Sequence, residues 1–193
     1  MSKRSSKGRG GQAGEARFIV DTMLGDVARW LRLMGYDTLY SSRYEDWEIL
    51  RAAEEEGRII VTMDRGLYSR ARRRGLRAVL VSSFETPARL AEVSLQAPLR
   101  LEADPRRSRC PECNSPLVEV RDKSKLRGRV PPAALEAYDV FYVCPRCGKV
   151  YWEGSHWRNI RRILEEAREI RGRILREAGA VKRVKRVEGR KQA

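Results

Sequence analysis

Short apolar segments alternate with segments of helical periodicity through the first half of the chain, and this alternation restricts the possible folds more than any other feature. We predict strands at 18–20, 36–40, 59–62 and 78–81. We predict helices at 26–34, 46–56 and 67–74, and the start of another at 87–93. Short apolar strands joined by helices form a parallel sheet with both faces covered. The sequence therefore predicts an α/β domain with a parallel sheet and flanking helices.

Three aspartates stand at or just after the ends of predicted strands. Asp21 ends the first strand, Asp46 begins the helix after the second, and Asp64 follows the third. In a parallel sheet these positions meet at the carboxyl edge, where open α/β sheets bind ligands. Clustered carboxylates repel one another, and Mg²⁺ or Mn²⁺ would offset that repulsion and could activate water to attack a phosphodiester. The pattern favours a divalent-metal site formed by these three aspartates.

The same positions also have a purely structural interpretation, because aspartate commonly caps helix N-termini. Asp26 and Asp46 each stand where a predicted helix begins, so each could be a cap. Glu45 and Glu48 lie close enough to Asp46 to compete with it as a ligand. Spacing alone leaves the metal site and the helix caps as open alternatives.

All four cysteines occur in two Cys-x-x-Cys pairs, Cys110 with Cys113 and Cys144 with Cys147. Two such pairs offer the tetrahedral set of four thiolates that structural zinc prefers, and a filled set leaves no position for catalysis. The 30 residues between the pairs exceed the usual spacing of about 15–20, so we expect an extended loop around 123–132. Two independent redox dithiols are the alternative.

The chain changes character at about residue 104, where helical periodicity gives way to turn residues and to strands predicted at 140–143 and 149–152. We therefore predict four segments: a basic, disordered leader at 1–17, the α/β domain at 18–104, a small β zinc ribbon at 105–157, and a basic C-terminal helix and tail at 158–193.

The net charge of +15 is distributed unevenly along the 193 residues. Residues 18–104 carry about −1 and residues 158–193 about +8, with a tail after Gly179 that we expect to be disordered until bound. Such positive charge attracts nucleic acid or anionic membranes. Since the sequence has neither a run of about 18 apolar residues nor a signal peptide, we expect a cytoplasmic protein without a membrane partner.

Four segments carry motifs: Val20–Gly25 (VDTMLG), Ala28–Arg32 (ARWLR), Gly35–Asp37 (GYD) and Arg58–Leu67 (RIIVTMDRGL). Together they resemble the Mut-seven C-terminal RNase family, and the similarity is continuous over roughly 18–157. The family consists of PIN-like nucleases that end in a zinc ribbon. The resemblance implies a PIN-like sheet and ribonuclease activity, with the three aspartates at the family's acidic metal-binding positions.

Two residues depart from the family pattern. Met63 stands where an arginine is usual, and Arg89 stands where glutamine is expected. Both departures bear on substrate positioning and leave the three carboxylates in place. We identify no fourth acidic ligand, although many PIN-like nucleases have one.

Seven side chains are predicted to bind RNA: Arg29, Arg32, Arg65, His156, Arg158, Arg161 and Arg162. The only histidine lies in a Gly-Ser-His-Trp segment that resembles a family motif, although a lone histidine is often a structural residue. Four aromatic residues beside the cysteines could stack on bases: Tyr142, Tyr151, Trp152 and Trp157. We favour a packing role for them, because so small a module needs its aromatics as a core.

The leading hypothesis is a metal-dependent endoribonuclease acting in RNA processing, with catalytic Mg²⁺ or Mn²⁺ and structural zinc. Analogy with rRNA-maturation nucleases that combine PIN domains with zinc ribbons suggests ribosomal or transfer RNA precursors as substrates. The alternative is a non-catalytic RNA- or ribosome-binding protein with a vestigial acidic site. A toxin is disfavoured, because PIN-domain toxins are usually single small domains. The sequence does not indicate an oligomeric state.

Overall fold

The first half of the chain forms the predicted parallel sheet. The computed structural model describes the backbone of residues 16–191 and the side chains of residues 16–179, so most of the predicted leader lies outside the described residues. The four strands are β1 (Phe18–Val20), β2 (Thr38–Tyr40), β3 (Ile59–Thr62) and β4 (Ala78–Leu80). Their order is β2-β1-β3-β4, with every pairing parallel. The α/β prediction is confirmed.

Helices cover both faces of this sheet, because successive strand residues point to opposite sides. The helices of the first half are α1 (Gly25–Leu33), α2 (Asp46–Glu56), α3 (Arg65–Arg73) and α4 (Thr86–Gln96). Phe18, Val20 and Val61 pack in one core with α1 and α4, whereas Ile19 and Ile60 pack in a second core with α2 and α3. All five side chains are fully buried, which fixes the register of the two central strands.

The helix boundaries follow from their caps. α2 ends as predicted, because Gly57 adopts the left-handed conformation with φ of 64°. Its N-cap is Glu45, which forms a reciprocal capping box with Glu48, so the interpretation of Asp46 as the cap is wrong. A 3-10 turn (Thr22–Leu24) precedes α1, and Asp26 lies inside the first turn of that helix, so it is not the cap either.

The C-terminal helix is longer and more closely joined to the sheet than predicted. α6 (His156–Lys191) packs against α4. Trp157, Ile160 and Leu164 are buried in the same core as the central strands. The first turns of α6 therefore belong to the α/β domain, which differs from the predicted separation at residue 158. The helix also continues past Gly179, where the sequence predicts a disordered tail.

Residues 106–153, here called the cysteine module, form a second, antiparallel sheet. Its order is β5-β6-β7, with β5 (Val118–Val120), β6 (Phe141–Val143) and β7 (Val150–Tyr151). A 3-10 helix (Lys123–Leu126) and α5 (Pro132–Ala137) occupy the long separation between the cysteine pairs. They contribute Leu126 and Ala134 to a small core around Phe141.

One buried ion pair joins the amino ends of three strands to the cysteine module. Arg58, only 5% exposed, donates to both carboxylate oxygens of Asp37 at 3.0 and 3.1 Å and to the carbonyl of Phe18 at 3.2 Å. Asn114 of the module donates to the same carboxylate at 2.7 Å and accepts from the backbone of Thr38 at 3.0 Å. Burial opposes ionisation of Asp37, but hydrogen bonds from Arg58 and Asn114 hold its pKa below the usual value.

No helix in the described part of the chain combines the length and the apolarity that a membrane span requires.

We predict that Asp37→Asn lowers the free energy of unfolding by about 1–3 kcal/mol at neutral pH, because it removes one of the two carboxylates that pair with the buried Arg58 and leaves only Glu56. The pKa of Asp37 is lower in the folded state. Its stabilising effect should therefore be fully present above the ordinary aspartate pKa and be lost as the pH falls through the folded value. Urea unfolding of wild type and variant from neutral to acidic pH measures this difference.

The matched control is Asp139→Asn, which removes the carboxylate of an exposed pair with Lys123. This change should alter stability little, because solvent screens exposed pairs. Equal unfolding curves for Asp37→Asn and Asp139→Asn would contradict a structural role for the buried pair.

Candidate functional site

Asp21 is buried at the carboxyl end of β1, in the middle of the sheet. Two groups donate to its carboxylate, the backbone N–H of Thr22 at 2.6 Å and the hydroxyl of Thr62 at 2.6 Å. The residue is 6% exposed, so the carboxylate is oriented by these donors rather than by bulk water. The local sequence explains the geometry, because Asp21 caps the 3-10 turn that leads into α1.

Asp64 lies beside Asp21, after the adjacent central strand β3. Its carboxylate accepts from the N–H of Leu67 at 2.8 Å and so caps α3. Its own N–H donates to the Thr62 hydroxyl at 2.9 Å. The single hydroxyl of Thr62 therefore accepts from Asp64 and donates to Asp21, which ties the positions of the two aspartates together.

Asp46 reaches the same edge from the edge strand β2 but has a different partner. It is exposed at the start of α2 and forms an ion pair with Arg70 of α3. A Cβ atom at Gly66 would lie 2.9 Å from Asp64 Oδ1 and 3.2 Å from Arg70 Nη1, so the Arg70 guanidinium also approaches Asp64. Arg70 therefore offsets negative charge at Asp46 through a direct ion pair.

The structure brings the three aspartates to one edge without assembling them into a compact ligand set. Among the described residues, the grouping of three or more potential ligand atoms within 4.8 Å of one another is formed by the four cysteines. Asp21 and Asp64 are linked through Thr62, whereas Asp46 is engaged by Arg70.

Two further carboxylates near this edge have structural partners. Asp26 accepts from Arg89 Nη1 at 3.0 Å and from the Thr86 hydroxyl at 3.1 Å. Glu92 accepts from the backbone and hydroxyl of Ser82 and from Ser83; burial acts to raise its pKa, but these hydrogen bonds lower it below the usual value. Both carboxylates are thus engaged by neighbouring side chains.

The four cysteines converge, as the sequence predicts, through two turns with the same hydrogen bonds. The N–H of Asn114 donates to the Cys110 carbonyl at 2.9 Å, and the N–H of Gly148 donates to the Cys144 carbonyl at 3.0 Å. Asn114 and Gly148 both adopt positive φ, 66° and 76°, which reverses the chain direction after the second cysteine of each pair. The four thiols could hold a metal ion.

Metals bind the thiolate form, and the thiols differ in how readily they reach it: the pKa of Cys144 is lowered, whereas burial and contacts with neighbouring thiols raise the pKa values of Cys113 and Cys147. Burial opposes ionisation of Cys144, but hydrogen bonds from the backbone of Cys147 and contact with the Cys113 thiol lower its pKa to about 6. The Tyr151 hydroxyl lies 3.2 Å from Cys110 Sγ, and burial together with this contact raises the pKa of Tyr151. Tyr151 therefore remains neutral beside the cluster.

Arg32 has a structural position, which corrects its assignment as an RNA-binding residue. It is 5% exposed, and it donates to the carbonyls of Thr38 at 3.0 Å, Pro111 at 2.8 Å and Glu112 at 3.1 Å. These bonds hold the first cysteine turn against α1 and β2. A guanidinium engaged in this way is not available to a phosphate.

The other predicted RNA-binding residues lie at the surface in two places. Arg65 is exposed directly after Asp64 at the carboxyl edge of the sheet. Arg29 is exposed on α1 near Glu112, at 3.7 Å, close to the cysteine module. The remaining residues, His156, Arg158, Arg161 and Arg162, are exposed on the first turns of α6.

Three of the four aromatic residues in or beside the cysteine module, Tyr142, Trp152 and Trp157, serve as packing, as predicted. Tyr142 and Trp157 are only 5% and 6% exposed. Trp152 packs against Phe141 with ring centroids 6.1 Å apart.

Sequence reasoning missed Thr62, Arg70 and the Asp37–Arg58 pair. A signal existed for three of them, because Asp37, Arg58 and Thr62 all fall inside the motifs quoted above. Arg70 had no such signal, since it reads as one of several exposed arginines on α3.

A model of the Mut7-C RNAse domain family matches residues 16–164. The matched region contains the parallel sheet, the three aspartates, all four cysteines and the first turns of α6. No curated protein and no solved structure matches the chain significantly.

We predict that Thr62→Val lowers the free energy of unfolding by about 1–3 kcal/mol, because it leaves the Asp64 N–H and the buried Asp21 carboxylate without their shared partner. Thr62→Ser keeps the hydroxyl and should cost about 1 kcal/mol or less through loss of one methyl group. Thermal and urea unfolding of the two variants test this order. If Thr62→Ser is as unstable as Thr62→Val, the loss of stability comes from packing and not from the hydroxyl.

Proposed function

This chain belongs to the Mut7-C RNAse domain family, and from that membership we propose that it is an endoribonuclease that depends on Mg²⁺ or Mn²⁺ and acts in RNA processing. The observation that supports the proposal most directly is the coupling of Asp21 and Asp64 through Thr62 at the ends of the two central strands. Ligand sites of open α/β sheets occupy this edge.

In this proposal, Asp21, Asp46 and Asp64 are the catalytic residues and the ligands of the divalent ion. The ion would activate water for attack on a phosphodiester and would stabilise the charge that develops there. Thr62 and the N–H of Thr22 orient Asp21, and the N-terminus of α3 orients Asp64. Asp46 would hold the ion only after releasing Arg70, whose guanidinium would then be free to donate to the substrate phosphate.

RNA binding is proposed for the exposed cations in two regions. Arg65 would meet the phosphate nearest the aspartates, because it follows Asp64 directly. A more distant part of the RNA would lie along α6, where it would contact His156, Arg158, Arg161 and Arg162, with Arg29 beside them. The near-neutral α/β domain supplies little positive charge, so these contacts would carry much of the electrostatic attraction.

For the cysteine module we propose a zinc ribbon with one structural Zn²⁺. The Sγ atoms of Cys110 and Cys147 lie 3.6 Å apart, and those of Cys113 and Cys144 lie 3.3 Å apart. Tetrahedral zinc with bonds of about 2.3 Å places its sulfurs about 3.8 Å apart, so the donor set fits with a small expansion. Because Arg32 and Asn114 bind the first cysteine turn to the sheet, the ion would stabilise the nuclease domain as well as the module.

Precursors of ribosomal or transfer RNA are the substrates we propose, by analogy with nucleases that combine these two modules. One observation favours the second candidate function, a non-catalytic RNA- or ribosome-binding protein. Asp46 already has a cationic partner in Arg70, which is the arrangement a vestigial acidic site would adopt.

We predict that Asp21→Asn and Asp64→Asn each lower the rate of metal-dependent RNA cleavage by about 100-fold or more, since each removes a charged ligand worth several kcal/mol. Asp46→Asn should lower it as well. The assay is cleavage of labelled structured RNA with Mg²⁺, Mn²⁺ or EDTA.

Asp139→Asn serves as the control for charge, and circular dichroism verifies that each variant is folded. Cleavage at the wild-type rate by both Asp21→Asn and Asp64→Asn would refute the nuclease site. If the wild type binds RNA but shows no metal-dependent cleavage, the result favours the non-catalytic function.

We predict one zinc ion per chain in protein purified under reducing, chelator-free conditions. Cys113→Ser should lower the zinc content, because a hydroxyl replaces a thiolate ligand. It should also lower the unfolding temperature of the whole protein, because the module is bonded to the sheet. Elemental analysis and thermal unfolding measure the two effects. A folded module with zinc content near zero would exclude the metal site.

A further inference from the structure

Large apolar side chains are exposed at the carboxyl edge of the parallel sheet. Met23, Trp47 and Phe84 are 70%, 58% and 80% exposed, and they follow β1, β2 and β4 respectively. Six large apolar side chains are exposed among the described residues, and these three are half of them. The apolar side chains on both faces of the same sheet are buried. Scattered single exposed residues need no explanation, but three that follow strands of one sheet at the same edge call for one.

Packing does not account for the two aromatic residues. Trp47 lies at the start of α2, where the Arg51 guanidinium covers one side of its ring at 5.3 Å from the centroid. Phe84 lies in the loop between β4 and α4, and it belongs to none of the three hydrophobic cores. Both ring systems therefore present large apolar faces to solvent.

The strand order places these two aromatics on opposite sides of the acidic residues. Asp21 and Asp64 follow the central strands β1 and β3, whereas Trp47 follows the edge strand β2 and Phe84 the edge strand β4. Neighbouring strands lie about 4.8 Å apart, so the two edge strands are separated by about 14 Å. A strand of RNA crossing this edge would pass one aromatic on each side of the carboxylates.

We propose that Trp47 and Phe84 stack on unpaired nucleobases on either side of the phosphate at the acidic site. This assignment rests on the proposed ribonuclease function and adds the form of substrate that the site accepts. Bases expose their faces to a protein only where they are unpaired, and aromatic side chains stack on them with little regard to sequence. The site therefore selects loops, bulges or single-stranded ends over continuous duplex.

The charges around the aromatics favour RNA over a protein partner. Arg43 and Arg65 are exposed, four residues before Trp47 and directly after Asp64 in the chain, and Arg51 covers the Trp47 ring. A protein partner would be expected to bury a continuous apolar patch, whereas here carboxylates separate the two rings. Alternating aromatic and cationic side chains are the arrangement that binds single-stranded nucleic acid.

The test measures binding without cleavage. The full chain and its Trp47→Ala and Phe84→Ala variants are titrated in EDTA against a labelled single-stranded oligouridine of about 12 nucleotides, using fluorescence anisotropy. Each substitution should weaken binding roughly 5- to 100-fold, the range expected for loss of one stacked base. Val118→Ala, which removes a 51% exposed side chain of the cysteine module, should leave affinity within about twofold.

A matched abasic oligonucleotide separates stacking from general destabilisation. Wild type should prefer the oligouridine to the abasic strand, and each alanine variant should lose much of that preference, as in a double-mutant cycle. Trp47→Phe should retain most of it. Equal affinity of wild type and both alanine variants for oligouridine would overturn the proposal and point to a protein partner.

The same titration distinguishes this proposal from the ribonuclease function on which it rests. Failure of the wild type to cleave with Mg²⁺ or Mn²⁺ would reject the enzyme while leaving the base-dependent binding measured in EDTA. Normal cleavage with no base-dependent binding would reject the stacking residues alone.

Discussion

The buried contact between Arg58 and Asp37 is the constraint on which the rest of the architecture depends. Arg58 satisfies the carboxylate of Asp37 and carbonyls at the amino ends of neighbouring strands, and Asn114 adds the cysteine module to the same network. A buried guanidinium without such partners would be costly, so the strands and the module must adopt one relative arrangement for it to be satisfied. The same strand arrangement fixes the positions of Asp21 and Asp64 at the opposite, carboxyl edge of the sheet, because they follow the same central strands.

The overall fold was predictable because its strongest signals are local. The central strands are uninterrupted apolar runs, and α2 is bounded by a capping box at Glu45 and a left-handed Gly57. The failures came from contacts between distant parts of the chain. Arg32 reads as a surface residue next to an apolar stripe, yet two of its three acceptors are carbonyls about 80 residues away. The role of α6 was missed likewise, because its apolar face gave no sign of which surface it would cover.

The candidate site was predictable in position but not in geometry. Parallel topology brings Asp21, Asp46 and Asp64 to one edge without any knowledge of side chains. Their orientation depends on Thr62, which looks like an ordinary strand residue, and on Arg70, whose partner Asp46 lies on another helix. Periodicity cannot identify such partners. The family motif did contain Thr62, but a motif records which residues occur together and not the bonds that connect them.

The two residues that depart from the family pattern are neighbours in space. Arg89 Nη2 lies 3.9 Å from Met63 Sδ, and Arg89 is paired with Asp26 at 3.0 Å. An arginine at position 63 would place a second cation against Arg89, where Asp26 already has a cationic partner. The uncharged thioether of Met63 therefore fills the space beside Arg89 that a second guanidinium would occupy, so the Arg89–Asp26 pair meets no competing cation there.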